Sequence, residues 1–426
     1  MSVAGANIGT DRRHFFMSSA QLEALEKKEE LEKDPIRQKL GSPLRAGARI
    51  LGFELCDKNT AVFALANYQA RVADLKANEC KRAAVVKHAG PVTAVAVMPD
   101  TYRVNGSRVA LSASWDTTVK IWAVNNPQRT LAVLTGHSDF VKCLAAHPTL
   151  PIVYTGSADK TVMLWRLPEV ADELLGDGGE PKTIKPFKTI KGQHTGQIYT
   201  LCLDGGEEAA GGVLYSAGSD ASIRAWNALD GRPLVVDSSA FEDGEWMIPH
   251  GQHRTNISDI KWTEGSGGLL WTASADNTAV SWDIETGKAD LVLEHATTVT
   301  AVLPIPQVGV VVTGVRDGVI YVWRINDGSP RIIREIHAHT DDVSCLRAAG
   351  RCFYSSSLDE TLRVWDIKDV VGFDGGLEYM PAELAALKAQ VVAASATAGQ
   401  KGGSSSALTE EEERELAELM SDIDDM

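Results

Sequence analysis

The 426-residue sequence repeats four residue types that could together perform acid–base chemistry. Each set holds a histidine, an aspartate 20 to 28 residues later, a Ser or Thr four residues before that aspartate, and a tryptophan six residues after it. Histidine and aspartate transfer protons in many enzymes, and a hydroxyl beside them is a potential nucleophile. The six sets are His88, Ser112, Asp116 and Trp122; His137, Thr155, Asp159 and Trp165; His194, Ser216, Asp220 and Trp226; His253, Thr272, Asp276 and Trp282; His295, Thr313, Asp317 and Trp323; and His339, Ser355, Asp359 and Trp365.

The recurrence of these sets, with fixed intervals from hydroxyl to aspartate and from aspartate to tryptophan, favours a structural role over a catalytic one. Val or Ile follows each histidine after four residues, and this interval selects His339 over His337 in the last set. Since each histidine belongs to its own repeat, the six histidines cannot converge on one site. We expect each imidazole to bond the aspartate on one side and the hydroxyl on the other, while the indole N–H supplies the remaining donor. Loss of one partner should cost about 1–3 kcal/mol for the buried group left unpaired.

The stretches between the sets predict short antiparallel strands. Segments such as TVMLW and TLRVWD alternate with a period of two, and turn residues separate them. Each repeat is therefore expected to form one β-meander. Because so short a meander cannot bury both of its faces alone, the repeats should stack against one another and close into a ring.

Several of these repeats resemble a known family. Residues 135–167, TGHSDFVKCLAAHPTLPIVYTGSADKTVMLWRL, resemble a complete WD repeat, and SWDIETG and VWDIKD contain the dipeptide of that family. The resemblance covers roughly residues 45–370 and implies an all-β fold, the seven-bladed WD-repeat β-propeller. The repeats depart from the family pattern in places, since the Gly-His pair is intact only at Gly136–His137. In this family an N-terminal strand usually completes the last blade, and the sequence does not indicate which segment would do so here.

The first blade is expected to be degenerate. Residues 48–75 offer three strands, but Asn67 stands where the turn aspartate would be and Ala73 where the tryptophan would be. The alternative is a six-bladed ring with an N-terminal strand extension. The predicted domains are a 1–44 extension with a short helix, a 45–372 propeller, a 373–397 C-terminal helix region, and a 398–426 flexible linker with an acidic amphipathic helix.

The two tails contain helix signals. Ser18 could cap an N-terminal helix that ends at Pro35, and Thr409 with Glu412 forms a capping box for the last helix. The last helix has apolar residues at helical spacing along one side, which predicts that it folds in a partner's groove with a basic rim. The alternative is a solubilising acidic tail. The predicted contact residues of this helix are Leu416, Leu419, Met420 and Ile423.

Charge and composition restrict the classes of partner. The net charge is −15, and more than half of it lies after residue 408, where nine acidic residues face Arg414 alone. No basic stripe is visible, so direct nucleic-acid binding by the propeller body is disfavoured. The apolar runs are too short to span a bilayer. Six cysteines without a Cys-x-x-Cys pair, and the lack of an apolar signal core, favour an intracellular protein of the cytoplasm, the nucleus or both.

Motifs of catalytic chemistry are missing from the sequence. The segment ETGKAD imitates the end of a phosphate-binding loop, but Trp282 occupies the position of its first glycine. There is no Gly-x-Ser-x-Gly nucleophile elbow. We therefore expect no enzymatic activity, cofactor, metal or small-molecule substrate.

Partner-binding residues are expected beside the histidines and aspartates, because in the family the loops that hold them open onto one face. Trp115 directly precedes Asp116, and Phe140 directly precedes Val141, which lies four residues after His137. These aromatic residues predict a contact patch on adjacent blades, with Arg316 and Leu358 across the mouth of the ring. Phe241 and Trp246 lie in a polar insert and are further candidates, although packing of Trp246 on its own blade is the simpler interpretation.

The favoured function is a non-catalytic scaffold that binds more than one other protein in an intracellular complex. A regulatory or substrate-recruiting subunit of an enzyme complex, for ubiquitin ligation or RNA modification and processing, is the first alternative. A G-protein-β-like signalling subunit is the second, although the long C-terminal extension and the thin Leu22/Leu25/Leu31 stripe argue against it.

Overall fold

Seven β-sheets make up the described part of the protein, and each is built mainly from strands that follow one another in the chain. The computed structural model describes residues 38–175, 180–204, 212–234, 253–263, 268–284, 287–325, 329–372, 376–379 and 381. The strands of blades 1 to 3 are β1 Leu44–Arg45, β2 Ile50–Asp57, β3 Thr60–Leu65, β4 Gln69–Asp74, β5 Glu79–Lys87, β6 Val92–Val97, β7 Arg103–Val104, β8 Ser107–Ser114, β9 Thr118–Ala123, β10 Asn126–Thr135, β11 Val141–Ala146, β12 Ile152–Ser157, β13 Val162–Arg166, β14 Lys182–Ile184 and β15 Lys188–Ile190. Those of blades 4 to 7 are β16 Ile198–Leu203, β17 Val213–Gly218, β18 Ile223–Asn227, β19 Ile257–Thr263, β20 Leu269–Ser274, β21 Thr278–Asp283, β22 Lys288–Glu294, β23 Val299–Ile305, β24 Val310–Val315, β25 Val319–Arg324, β26 Arg331–His337, β27 Val343–Ala349, β28 Cys352–Ser357 and β29 Thr361–Asp366.

The sheets are arranged as the blades of a closed ring. The first strand of each blade contacts the first strand of the next, in the order β2, β6, β11, β16, β19, β23 and β27, and β27 returns to β2. The other strands of each blade follow outward by antiparallel pairing, and within the described residues blade 4 has three strands where the other blades have at least four. The prediction of a seven-bladed propeller is confirmed, and the six-bladed alternative is wrong because residues 50–87 form a full four-stranded blade.

The short strand β1 closes the ring. It pairs antiparallel with β29, with Leu44 opposite Leu362 and Arg45 opposite Thr361, and so becomes the outer strand of blade 7. Gly41 lets the chain reach this edge, because it is left-handed (φ +68°) and a Cβ there would lie 2.9 Å from the Trp365 ring. The last blade is therefore completed by residues from the start of the chain, which leaves the sheet without a free outer edge on β29.

Segments outside the regular blade strands lie along the outer edges of two other blades. β14 comes from the connection after β13, yet it pairs in parallel with β10 of the preceding blade. The 3₁₀ turn Ala171–Leu174 lies in the same connection and packs on β7. After blade 7, helix α1 spans Ile367–Gly372, and Leu377–Tyr379 then runs beside Glu335 of β26. A second 3₁₀ turn, Pro306–Val308, connects β23 to β24.

The hydrophobic core is divided into layers between neighbouring blades. Trp122 of blade 2 packs with Val62 and Val72 of blade 1, and Trp282 of blade 5 packs with Tyr215 of blade 4. All residues of β12 and β24 are buried, so the strict period of two expected from the sequence is wrong for these second strands. The reason is that each blade lies between two others, which buries both faces of its inner strands.

Some predicted elements lie outside the described residues. These are the N-terminal helix, the C-terminal helices with Leu416, Leu419, Met420 and Ile423, and the insert residues Phe241 and Trp246. Within the described ranges, no helix has the length and apolar character needed to cross a membrane.

Candidate functional site: the histidine clasps and the upper face

In blades 2, 3, 4, 5 and 7 the four recurring residues form one hydrogen-bonded group, which we call the histidine clasp. In blade 3 the Trp165 indole N–H donates to Thr155 Oγ1 at 2.8 Å, and His137 Nε2 lies 2.7 Å from the same hydroxyl. His137 Nδ1 lies 2.8 Å from Asp159 Oδ2. Because the carboxylate can only accept, the ring proton is on Nδ1, and Nε2 accepts from the Thr155 hydroxyl. The same bonds link histidine to aspartate at 2.8–2.9 Å in the blades of His88, His137, His194, His253 and His339.

The aspartate of each of these five clasps joins two loops. Asp159 Oδ2 also accepts the backbone N–H of Ser138, which follows the histidine, at 3.0 Å. Its Oδ1 accepts the N–H and hydroxyl of Thr161 at 3.0 and 2.6 Å. Burial alone would raise the pKa of the Asp159 carboxyl, but the bonds from His137, Thr161 and Ser138 outweigh it and hold this pKa well below its usual range. The ionised carboxylate thus fixes the loop before the blade to the turn within it.

Blade 6 corrects the prediction of six complete sets. His295 Nε2 lies 2.7 Å from Thr313 Oγ1 and the Trp323 indole N–H donates to that oxygen at 3.1 Å, but His295 Nδ1–H donates to the carbonyl of Leu293 and not to Asp317. Asp317 is exposed and accepts only the N–H of Val319 among the described residues, at 3.3 Å. Val319 stands where four of the other clasps have Thr and one has Ser, so the Asp317 carboxylate has no side-chain hydroxyl donor in its own turn.

The absence of a carboxylate beside His295 affects the pKa of its imidazole. Burial lowers the pKa of this imidazole to about 4, since no anion offsets the cost of charging it. A folded pKa below the unfolded value of about 6.5 means that the unfolded chain binds the proton more readily. The contribution of this group to stability is therefore complete above about pH 6.5 and is lost as the pH falls through about 4.

The clasps place the histidine loops and the aspartate turns on the same side of the ring, which we call the upper face. In blades 2 to 7 a backbone hydrogen bond joins the histidine loop to the aspartate turn. The N–H of the residue just before the aspartate donates to the carbonyl of the residue three positions after the histidine. The pairs are Trp115–Pro91, Ala158–Phe140, Ser219–Gln197, Ala275–Asn256, Arg316–Thr298 and Leu358–Asp342, with N···O distances of 2.8–3.0 Å. The residues just before the aspartates and the residues three positions after the histidines are thus held next to each other, and these are the positions at which partner contacts are predicted.

The two predicted aromatic contacts stack on one another across adjacent blades. The rings of Trp115 and Phe140 lie 4.8 Å apart at their centroids, nearly parallel at 14°. Each side chain is 39% exposed. Lys142 Nζ lies 5.1 Å from the Trp115 ring and 5.8 Å from the Phe140 ring, and Tyr199 of blade 4 lies 6.0 Å from the same Nζ. We call Trp115, Phe140, Lys142 and Tyr199 the aromatic patch.

Sequence reasoning missed half of this patch. Lys142 and Tyr199 each directly follow the Val or Ile that comes four residues after a histidine, so the same spacing rule could have found them. A further aromatic side chain, Tyr68, is 52% exposed at the turn of blade 1. It follows Asn67 in the left-handed conformation (φ 70°) that Thr117 and Lys160 adopt after their aspartates.

The two residues predicted across the mouth lie in blades 6 and 7. Arg316 is exposed, and its Nε lies 3.6 Å from Asp342 Oδ2 of the next blade. Leu358 is half-buried. Arg316 therefore joins two blades through an exposed ion pair, and an exposed ion pair contributes little to stability.

The opposite end of the ring holds a cavity of about 740 Å³, lined by the ends of the first strands. Its charged side chains have partners within the protein. Arg347 Nε lies 3.0 Å from Glu54 Oε2, and Lys261 Nζ lies 2.9 Å from Asp259 Oδ1. Among the described residues, no group of three or more His, Cys, Asp or Glu side chains could hold a metal ion. The upper face is therefore the stronger candidate for a binding site.

Comparison with known proteins agrees with this architecture. The family model "WD domain, G-beta repeat" matches residues 80–123, 128–166 and 330–366. An uncharacterized WD repeat-containing protein of Schizosaccharomyces pombe is 29% identical over 367 residues, which cover 83% of this chain and 89% of that protein. WD repeat-containing protein 37 of Mus musculus is 24% identical over 61% of this chain and 46% of its own length. Nuclear distribution protein nudF of Emericella nidulans is 27% identical over 55% of this chain and 61% of its own length.

These matches fall on the same repeats that form the blades. The closed ring of seven sheets and the histidine clasps account for the spacing that the repeats share. The chain therefore contains WD repeats and folds as a seven-bladed WD-repeat β-propeller.

Proposed function

We propose that the protein is a non-catalytic scaffold that brings other proteins together in an intracellular multiprotein complex, with the aromatic patch as a contact surface. WD-repeat propellers generally mediate protein–protein interactions and are typically non-catalytic. The observation that carries the proposal is the stacked pair of Trp115 and Phe140, which remains 39% exposed at each ring on the upper face. Rigid, partly exposed aromatic side chains are the residues that most often dominate binding energy at protein interfaces.

The clasps support a non-catalytic role because their hydrogen bonds already engage the histidine, aspartate and hydroxyl groups that catalysis would need. His88, His137, His194, His253 and His339 each bond a carboxylate and a hydroxyl within their own blade. Their role is to hold the loops that carry the patch, so the upper face is rigid before a partner arrives. Preorganisation of this kind improves affinity, since little conformational entropy is lost on binding.

An intracellular location is part of the proposal. All six cysteines are free thiols, and Cys143 and Cys345 are buried on the first strands of blades 3 and 7. Burial raises the pKa of Cys143, so this thiol stays protonated and inert. Free thiols suit the reducing compartments of the cell, the cytoplasm and the nucleus.

The double substitution Trp115→Ala, Phe140→Ala tests the proposed contact surface. We expect recovery of specific partners by the full-length protein in quantitative affinity purification to fall about tenfold or more, because hot-spot residues each contribute roughly 2 kcal/mol. The midpoint of unfolding should change little, since both rings are already part-exposed. Phe187→Ala is the matched control, because Phe187 is 41% exposed beside β15 and outside the patch. Unchanged recovery from a folded double variant would refute the surface.

A further inference from the structure

Lys142 is a half-buried cation at the centre of the aromatic patch. It follows Val141 on β11, between the Trp115–Phe140 stack and Tyr199. Its Nζ lies 5.1–6.0 Å from the centroids of all three rings, the distance range of cation–π contacts. Burial lowers the pKa of this ammonium, because its charged form is less well solvated there than on an open surface.

The negative charge of Asp139 lies near the ammonium and favours its charged form, but the two side chains form no ion pair. Within the part of the chain that the structure describes, Lys142 Nζ makes no hydrogen bond or ion pair. The nearby acid Asp139 instead accepts the backbone N–H of Phe140 at 2.7 Å. By contrast, Lys261 and Arg347 at the opposite end of the ring each bond a carboxylate. Three N–H donors of a partly desolvated cation therefore remain for a ligand.

The chemistry of the patch restricts what can bind there. A cationic ligand would be repelled, because Lys142 already occupies the position that the three rings offer to a cation. A purely apolar ligand would cover the ammonium and leave its donors unpaired, which is costly. A ligand that fits places a carboxylate on the ammonium and a bulky apolar side chain on the exposed Trp115 and Phe140 rings. One cation matches the single charge of a carboxylate, whereas a phosphate dianion is better matched by clustered arginines.

We infer that the aromatic patch recognises a segment of a partner protein in which Asp or Glu stands next to a bulky apolar residue, with Lys142 binding the carboxylate. This inference rests on the proposed function, since it names the chemistry of the partner at the same surface. It also gives Lys142 a distinct role from the two rings. The rings supply apolar area and the ammonium supplies selectivity for charge.

Selection of random peptides on the intact protein tests this inference. We expect peptides recovered by the wild type, but not by Trp115→Ala, Phe140→Ala, to be enriched in Asp or Glu beside Leu, Ile, Met, Phe or Trp. Lys142→Met keeps the aliphatic stem and removes the charge, so it should weaken the best acidic peptide about tenfold, which is the range of a charge-assisted hydrogen bond. Lys142→Glu should reverse the preference to Lys or Arg at the acidic position.

The outcomes separate the inference from the proposed function. Peptides that depend on Trp115 and Phe140 without an acidic preference, or that bind Lys142→Met as well as wild type, would overturn the inference and leave the contact surface standing. A failure to recover any peptide that depends on the two rings would count against both. Tighter binding of matched phosphoserine peptides than of glutamate peptides would overturn the choice of a carboxylate.

Discussion

We expect Leu44→Ala to lower the free energy of unfolding by about 2–5 kcal/mol, the usual cost of truncating a buried leucine. Leu44 is 3% exposed and lies in the same cluster as Ile50 and Phe63 of blade 1 and Leu362 of blade 7. Its side chain therefore contributes to the joint at which the two ends of the ring meet. A cavity there weakens ring closure as well as local packing, so the effect should lie in the upper part of this range.

Arg45→Ala is the matched control for this prediction. Arg45 is the neighbouring residue of the same two-residue strand, pairs with Thr361, and has an exposed side chain. Its truncation should change stability by no more than about 0.5 kcal/mol. Chemical denaturation followed by intrinsic tryptophan fluorescence measures both variants. Equal midpoints for Leu44→Ala and Arg45→Ala would show that β1 does not close the ring.

The second prediction compares two aspartates at the same position of the repeat. Asp159→Ala should cost about 3 kcal/mol or more, because it leaves the buried donors of His137 and Thr161 without an acceptor. Asp317→Ala should change stability by no more than about 0.5 kcal/mol, since Asp317 is exposed and bonds only Val319 among the described residues. Sequence spacing alone would predict the same cost for both.

Equilibrium unfolding in urea decides between these expectations. The two substitutions are identical in chemistry and fall in equivalent turns, so any difference reports the environment of the carboxylate. A large loss for Asp317→Ala would mean that its clasp forms after all. A negligible loss for Asp159→Ala would mean that the clasps do not stabilise the blades.

The spacing of the repeats predicted most of the fold because this spacing is set by contacts made within single blades. The interval of six residues from Asp159 to Trp165 spans one turn and one strand, so it fixes both ends of the third strand. The failure at Asp317 has a local signal as well. Val319 replaces the hydroxyl residue two positions after the aspartate, and the four-residue pattern did not include that position.

Other features depend on contacts between distant parts of the chain and leave little trace in sequence. β1 has only two residues, and its pairing with β29 is set by closure of the ring more than by its own composition. The parallel pairing of β14 with the preceding blade reverses the order of the repeats and could not be inferred from spacing. The sequence placed Trp115 and Phe140 on adjacent blades, but the stacking of their rings and the position of Lys142 between them and Tyr199 depend on side-chain packing across blades 2, 3 and 4.

The direction of the hydrogen bonds in the clasps is the central claim, and long-range ¹H–¹⁵N NMR of the histidine rings tests it most directly. At pH 7 we predict the Nδ1–H tautomer for the five clasp histidines and for His295, and the Nε2–H tautomer for His147, whose Nδ1 accepts the backbone N–H groups of Thr149 and Leu150. His295 should titrate only near pH 4. Clasp histidines whose rings instead average between both tautomers would contradict the account.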